Sequence, residues 1–266
     1  MPRCQTQSTG SSANLPAMVY QLLPPIAGQS LWQPPGASAL HAIPLEPLQE
    51  FLEQSNARLD RWLTEGERQL LAGFSLKKRR LEWLGGRLSA KVALLSLLNG
   101  PGLDFSAKQL EILPDGMGRP HLISLGEALP EEIFFSISHS GCHAAALASL
   151  RRPCGLDIQQ PASALTGIKE RFSTAAERRL LQSCPQLAQL DTIKQLALLW
   201  SAKEAFRKAL SLSPLPAFLE TRLTAKPQAM GGAFHLTAAF NRQGHHRNFS
   251  VTAWLHNGLA VAITFV

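Results

Sequence analysis

Two stretches patterned as antiparallel hairpins, one mid-chain and one at the end, do most to limit the fold. Residues 133–149, IFFSISHSGCHAAALAS, alternate apolar and polar through Phe135, Ser136, Ile137 and Ser138. They turn at Ser140-Gly141 and continue into an apolar run. At the end, FSVTAWL and LAVAITFV are joined through His256-Asn257-Gly258, and Asn-Gly is a strong hairpin signal. CGLDIQ, starting at Cys154, reads as a further short strand. Helical patterns fill the intervals. Thr64-x-x-Glu67 has the form of a capping box, and Asn99-Gly100-Pro101 is a stop signal. Between them Leu84, Leu88, Val92 and Leu95 keep one apolar stripe, with Arg87 and Lys91 beside it. A second helical region runs over 165–210, with Thr174-x-x-Glu177 as its capping box and a break at Pro185. Strands in hairpins with helices between them predict an α+β fold.

The remaining segments are punctuation. LLPPIAGQSLWQPPGASALHAIPLEP is broken by prolines, compatible with short strands and turns. LPDGMGRPHLIS offers Asp115-Gly116 and Gly118 for tight backbone turns. Ser89-Ala90-Lys91 is echoed by Ser201-Ala202-Lys203, both on predicted helices. A duplication and a chance match in an Ala/Leu/Ser-rich chain both account for that echo.

Charge and apolar content narrow the partners. The chain of 266 residues carries 26 Lys plus Arg against 19 Asp plus Glu, a formal charge of +7. That excess suits an acidic partner: nucleic acid, an anionic protein or a phosphorylated small molecule. Only KKRR at 77–80 is densely basic, and the chain has one tyrosine, so no stacking platform for single strands is visible. No apolar run reaches about 18 residues, which predicts no membrane span. Residues 1–19 lack the continuous apolar core of a secretory signal and read as a mobile polar tail, so a cytoplasmic location is expected. Cys4, Cys142, Cys154 and Cys184 are scattered without zinc spacing and are expected to be reduced, structural thiols.

The residues with chemical potential lie on the middle strands and the second helical region. In LLWSAKEAFRKAL, Leu199, Ala202, Phe206 and Leu210 form one helical face, and Trp200, Lys203, Glu204, Arg207 and Lys208 its neighbour. The plain account is a surface helix with a Glu204–Lys208 pair, a core histidine at His139 and a turn at Asp157. The chemical account joins strand-borne Asp157 and helix-borne Glu204 as oxygen ligands for a hard cation. Magnesium takes one or two carboxylates, waters and substrate phosphates. Lys203, Lys208 and His139 would then supply positive charge or donors to those phosphates.

In this order the residues resemble a known family, the 4′-phosphopantetheinyl transferases, in its larger, two-half Sfp-type class. The likeness rests on Gly118-Arg119-Pro120, where the family usually has Gly-Lys-Pro, and on Phe135-Ser136-Ile137-Ser138-His139-Ser140. It continues through Gly155-Leu156-Asp157-Ile158 and Trp200-Ser201-Ala202-Lys203-Glu204-Ala205-Phe206-Arg207-Lys208. RFSTAAE at 171–177 and WLGGRLSAK at 83–91 are less diagnostic. The resemblance implies two similar α/β halves related by a pseudo-twofold, over 20–130 and 131–266, with most metal and catalytic residues in the second. It implies transfer of the phosphopantetheine arm of coenzyme A to a serine of an apo acyl or peptidyl carrier protein, releasing adenosine 3′,5′-bisphosphate. Carriers of this kind are acidic, matching the basic balance here.

By the same resemblance Asp157 and Glu204 would hold Mg2+ against the pyrophosphate, with Glu204 also the candidate base. Lys208 would meet the pyrophosphate and His139 a coenzyme phosphate, while Ser138 and Arg119 lie along the adenosine portion. Lys203 would contact phosphate or stabilise the site. Arg80, in the 77–80 cluster, and Arg87 would meet the 3′-phosphate or form a solvated basic face. Gln159 is the departure, because many members carry glutamate there; its amide oxygen can still ligate or orient a water, without charge. A monomer suffices, since one chain supplies both sides of the cleft. Two other readings are a catalytically impaired coenzyme A-binding homologue, with Gln159 as the sign, and a basic nucleic-acid-binding protein, for which no recognition motif is present.

Overall fold

The Ser-Ala-Lys echo proves to be a structural repeat. A computed structural model describes residues 20–21, 38–54, 59–99, 104–126, 128–129, 132–212, 214–242 and 245–266. The expected tail over 1–19, Cys4, most of the proline-punctuated stretch and the Gly100-Pro101 stop lie outside them. In the first half, β1 (Tyr20–Gln21) and β2 (Ser38–Pro44) lead into α1 (Leu45–Gln54), α2 (Glu65–Ala72) and the long α3 (Lys77–Leu98). The hairpin β3 (Leu110–Pro114)–β4 (Pro120–Ser124) follows, then β5 (Ile133–Ser140) and β6 (His143–Leu150). In the second half, β7 (Cys154–Gln159) precedes α4 (Ala164–Phe172), α5 (Ala175–Ser183), α6 (Pro185–Ala188) and the long α7 (Thr192–Leu210). Strands β8 (Thr221–Leu223), β9 (Gln228–Met230), β10 (Ala233–Arg242), β11 (His245–His256) and β12 (Leu259–Phe265) complete it.

Among the described residues the first sheet runs β1-β2-β6-β5 and the second β7-β12-β11-β10-β8, with β9 beside β10. In the first half β2 pairs antiparallel with the last strand, β6, as β7 does with β12 in the second, and each last strand pairs with the one before it. Helix α3 packs on β6 and β2, as α7 packs on β12 and β7. The helix contacts are repeated residue for residue. Ser89 Oγ donates to the Ala144 carbonyl at 3.3 Å, and Ser201 Oγ to the Ala260 carbonyl at 3.4 Å. Both capping boxes form. Their glutamates are fully buried and hold the echoed lysines: Lys91 Nζ–Glu67 Oε2 is 2.6 Å and Lys203 Nζ–Glu177 Oε1 is 2.7 Å. Glu67 Oε1 also accepts from the Ile112 amide and Glu177 Oε1 from the Leu223 amide. This α+β architecture therefore consists of two similar halves.

The boundary between them falls at 151–153 and not after residue 130, because β5 and β6 hydrogen-bond into the first sheet. Helix α3 also differs from its expected two-faced pattern. Leu84 and Leu88 meet α1 and α2, while Ala90, Ala93 and Leu94 meet the sheet and β3, so the helix is buried on both sides. Arg87 and Lys91 are buried with it. The terminal hairpin turns as its sequence predicts, with Asn257 and Gly258 both at positive φ, 47° and 80°. Among the described residues no helix is long and apolar enough to cross a membrane.

The halves meet along β5 and β7, which run side by side, bridged by side chains. Ser136 Oγ accepts from the Leu156 amide at 3.0 Å, Ser138 Oγ from Ile158 at 3.2 Å and Ser140 Oγ from Gln160 at 2.9 Å. The polar face of the alternating strand is thus spent on the seam rather than on solvent. Behind it, Leu40, Leu147, Leu156, Trp254 and Val261 form an apolar core shared by both sheets.

Candidate active site at the seam

Alternation along β7 places Gly155, Asp157 and Gln159 on one side, facing α7. Gly155 lets the helix come close: a Cβ there would lie 1.8 Å from the Ala205 carbonyl oxygen. One turn along, that close approach brings the Lys208 ammonium onto Asp157, Nζ to Oδ1, at 2.9 Å. Lys208 also donates to the Leu156 and Ile137 carbonyls at 3.0 and 3.3 Å, so it spans both strands of the seam. Ser138 Oγ donates to the same Asp157 Oδ1 at 2.8 Å. Asp157 Oδ2 is buried without a hydrogen-bond partner.

Glu204 lies one turn before Lys208 on the same helix. Burial raises its pKa, and the Asp157 charge adds to the rise, while Arg207 and Lys208 oppose it. Its carboxylate pairs with Arg207, so the expected Glu204–Lys208 pair is replaced by two others, Glu204–Arg207 and Asp157–Lys208. Arg207, an unassigned member of the helix face, was signalled only by its i,i+3 spacing. His139 follows Ser138 at the open edge. Burial lowers its pKa against the pull of Glu82, whose Oε1 is 3.6 Å from Nδ1, which favours the neutral ring.

Other expected residues stand further out. Gln159 is half-buried, and its Nε2 donates to the Gln160 carbonyl at 2.8 Å. Arg119 leaves the β3–β4 turn, where its Nε pairs with Asp115 Oδ2 at 3.0 Å, and its Nη1 donates to the Ser211 carbonyl at the end of α7. It ties the first half to the helix that carries Glu204. Arg80 is exposed on the first turn of α3, in a surface pocket of about 250 Å³ lined also by Gln49, Ser75 and Lys77. Lys203 is enclosed with Glu177 and donates to the Phe218 carbonyl at 3.2 Å, so of its two expected roles the contacts support the stabilising one. Arg87 is buried with its guanidinium 4.9 Å from the Trp83 ring, and burial pulls its pKa down to about 10. The solvated basic face expected as one alternative for Arg87 is thereby corrected.

Among the described residues no group of three or more His, Cys, Asp and Glu gathers. Asp157 with its unpartnered oxygen, Glu204 within reach of its charge and the Gln159 amide nevertheless offer an all-oxygen set of donors. Such a set fits a hard cation that keeps waters and ligand phosphates, and suits neither zinc nor a soft metal.

Comparison with known proteins gives the family of the chain. The model of the 4′-phosphopantetheinyl transferase superfamily matches residues 153–264. Enterobactin synthase component D of Escherichia coli O157:H7 is 30% identical over 186 residues, 69% of this chain and 76% of that protein. Holo-[acyl-carrier-protein] synthase of Halalkalibacterium halodurans is 33% identical over 116 residues, 43% of this chain and 94% of that one. Among solved structures, a holo-(acyl-carrier-protein) synthase from Bacillus anthracis in complex with CoA (3′,5′-ADP) matches at 29% identity and a TM-score of 0.36, covering 42% of this chain and 93% of that chain. The chain belongs to the 4′-phosphopantetheinyl transferase superfamily.

Proposed function

We propose that this enzyme moves the 4′-phosphopantetheine arm of coenzyme A onto a serine hydroxyl of an apo acyl or peptidyl carrier protein in the cytoplasm, with magnesium, releasing adenosine 3′,5′-bisphosphate. The observation that carries the reading is the meeting of Asp157, Lys208, Ser138 and Glu204 at the seam. In the reaction the serine oxygen bonds to the phosphorus bearing the pantetheine arm, and the bond from that phosphorus to the adenosine-side phosphate oxygen breaks. Asp157 and Glu204 would hold Mg2+, which supplies charge neutralisation at the pyrophosphate. Lys208 turns its ammonium from Asp157 toward the pyrophosphate and offsets the charge gathering on the leaving phosphate. Glu204 accepts the serine proton. Neutral His139 donates a hydrogen bond to a coenzyme phosphate at the open edge. Arg119, fixed to Ser211, closes the adenosine side.

The test is to incubate the protein with coenzyme A, Mg2+ and apo carriers of fatty-acid and peptidyl type, then weigh the carriers. A gain of one phosphopantetheine arm is expected. Binding of coenzyme A with no gain on either carrier would leave a coenzyme A-binding homologue instead.

A further inference from the structure

Both carboxylates of the site already carry a cation from the same helix: Lys208 on Asp157 and Arg207 on Glu204. Arg207 is not a loose surface charge. Its Nε donates to the Pro216 carbonyl at 2.5 Å, and its guanidinium carbon lies 4.3 Å from the centroid of Phe218. Phe218 is in turn held by Trp200, with ring centroids 4.5 Å apart, and its carbonyl by Lys203. With Arg207 and Glu204 side chains only 15% and 19% exposed, water screens the pair weakly.

The other half of the molecule supplies an internal control. Superimposing the repeat through Ser89/Ser201 and their carbonyl partners places His41 where Asp157 stands, and Val92, Leu95 and Ser96 where Glu204, Arg207 and Lys208 stand. The equivalence holds at the level of contacts, since Ser96 Oγ and His41 Nε2 are hydrogen-bonded at 3.2 Å, as Lys208 is to Asp157. All four charges are thus present together in one half and absent together in the other. Arg207 goes with the set.

We infer that Arg207 is the resident counter-ion of Glu204, and that the balanced quartet makes the site take its divalent cation together with an anionic phosphate ligand rather than before it. This rests on the proposed function. Two carboxylates against two cations leave the quartet with no net charge to draw in a metal ion, and neutral Gln159 adds none. A pyrophosphate brings the missing negative charge and engages Lys208, which frees Asp157 Oδ1. Coupling of this kind is reciprocal, so the metal tightens the phosphate ligand by the same factor.

Mn2+ titrated by electron paramagnetic resonance, alone and with saturating coenzyme A, reads this directly once Mn2+ held by free coenzyme A is subtracted. Wild type should bind Mn2+ alone about tenfold more weakly than with coenzyme A. Arg207→Met should bind Mn2+ alone about tenfold more tightly, shrinking the coupling, while Arg207→Lys keeps wild-type behaviour because the charge remains. Arg207→Gln repeats the test should the methionine variant fail to fold, as judged by circular dichroism. Unchanged or weaker Mn2+ binding in the neutral variants overturns the inference, as does wild-type binding that coenzyme A leaves unaltered. Asp157→Ala separates the two levels. If it binds Mn2+ with coenzyme A as well as wild type does, the metal reading itself falls, and the counter-ion role with it.

Discussion

Asp157 and Glu204 share one site but differ in what holds them. Asp157 is fixed by Ser138 and Lys208 on a single oxygen, which leaves the other buried and unpartnered. Glu204 is pushed toward the neutral form by burial and held back by Arg207. Replacing either by alanine is expected to lower the transfer rate by about 10²–10⁴. Mass analysis of the carrier measures the loss, and an unchanged far-ultraviolet circular dichroism spectrum separates it from misfolding. Retained transfer would reject the assigned role. Gln159 stands on the same side of β7 as Asp157 and contributes oxygen without charge. Gln159→Glu should therefore lower the magnesium concentration at half-maximal activity, and a higher requirement in that variant would show the amide reading to be wrong.

At the scale of elements, close packing of β7 on α7 decides whether these groups meet. Gly155 is where the helix backbone touches the strand, so Gly155→Ala must push α7 away. A loss of about 1–3 kcal/mol in urea unfolding is expected from the overpacking. Activity should fall further than the remaining folded fraction accounts for, because Glu204 and Lys208 move away from Asp157. The glutamate–lysine struts anchor the other side of each long helix. Burial lowers the pKa of Lys91 and Lys203 while Glu67 and Glu177 oppose it. Lys91→Met and Lys203→Met each strand a buried carboxylate and should cost roughly 3–5 kcal/mol, measured by denaturant unfolding. A cost well under 1 kcal/mol for Lys203→Met would mean that the Glu177 charge is not buried in solution.

For the whole molecule, pH reports a feature shared by five of its eight histidines. His41, His139, His143, His235 and His256 all have pKa values lowered mainly by burial. The unfolded chain then takes up protons as pH falls through roughly 6.5, before the folded chain does, so stability is held above that pH and lost below it. The melting temperature should drop between about pH 7 and pH 5.5, and His41→Gln should flatten that slope; a flat profile in wild type would contradict it. How much of this was legible in the chain differs by kind of feature. Both capping boxes, the Ser140-Gly141 and Asn257-Gly258 hairpins, the break at Pro185 and the strand through Asp157 depend on local backbone preference and short-range periodicity, and each formed where its residues predicted. The Ser-Ala-Lys echo was visible, but a three-residue likeness could not distinguish descent from chance; the matching buried Glu67–Lys91 and Glu177–Lys203 pairs do. The half boundary was misplaced because a hairpin motif does not say which sheet it joins. The burial of Arg87 was not legible because a charged side chain on a helix looks solvated until a second layer covers it. Asp157, Glu204 and Lys208 could be named from the order of their motifs. That Lys208 sits on Asp157, 51 positions away, and that the serine face of β5 closes the seam with residues 20 positions on, depend on contacts that only the packed chain brings together.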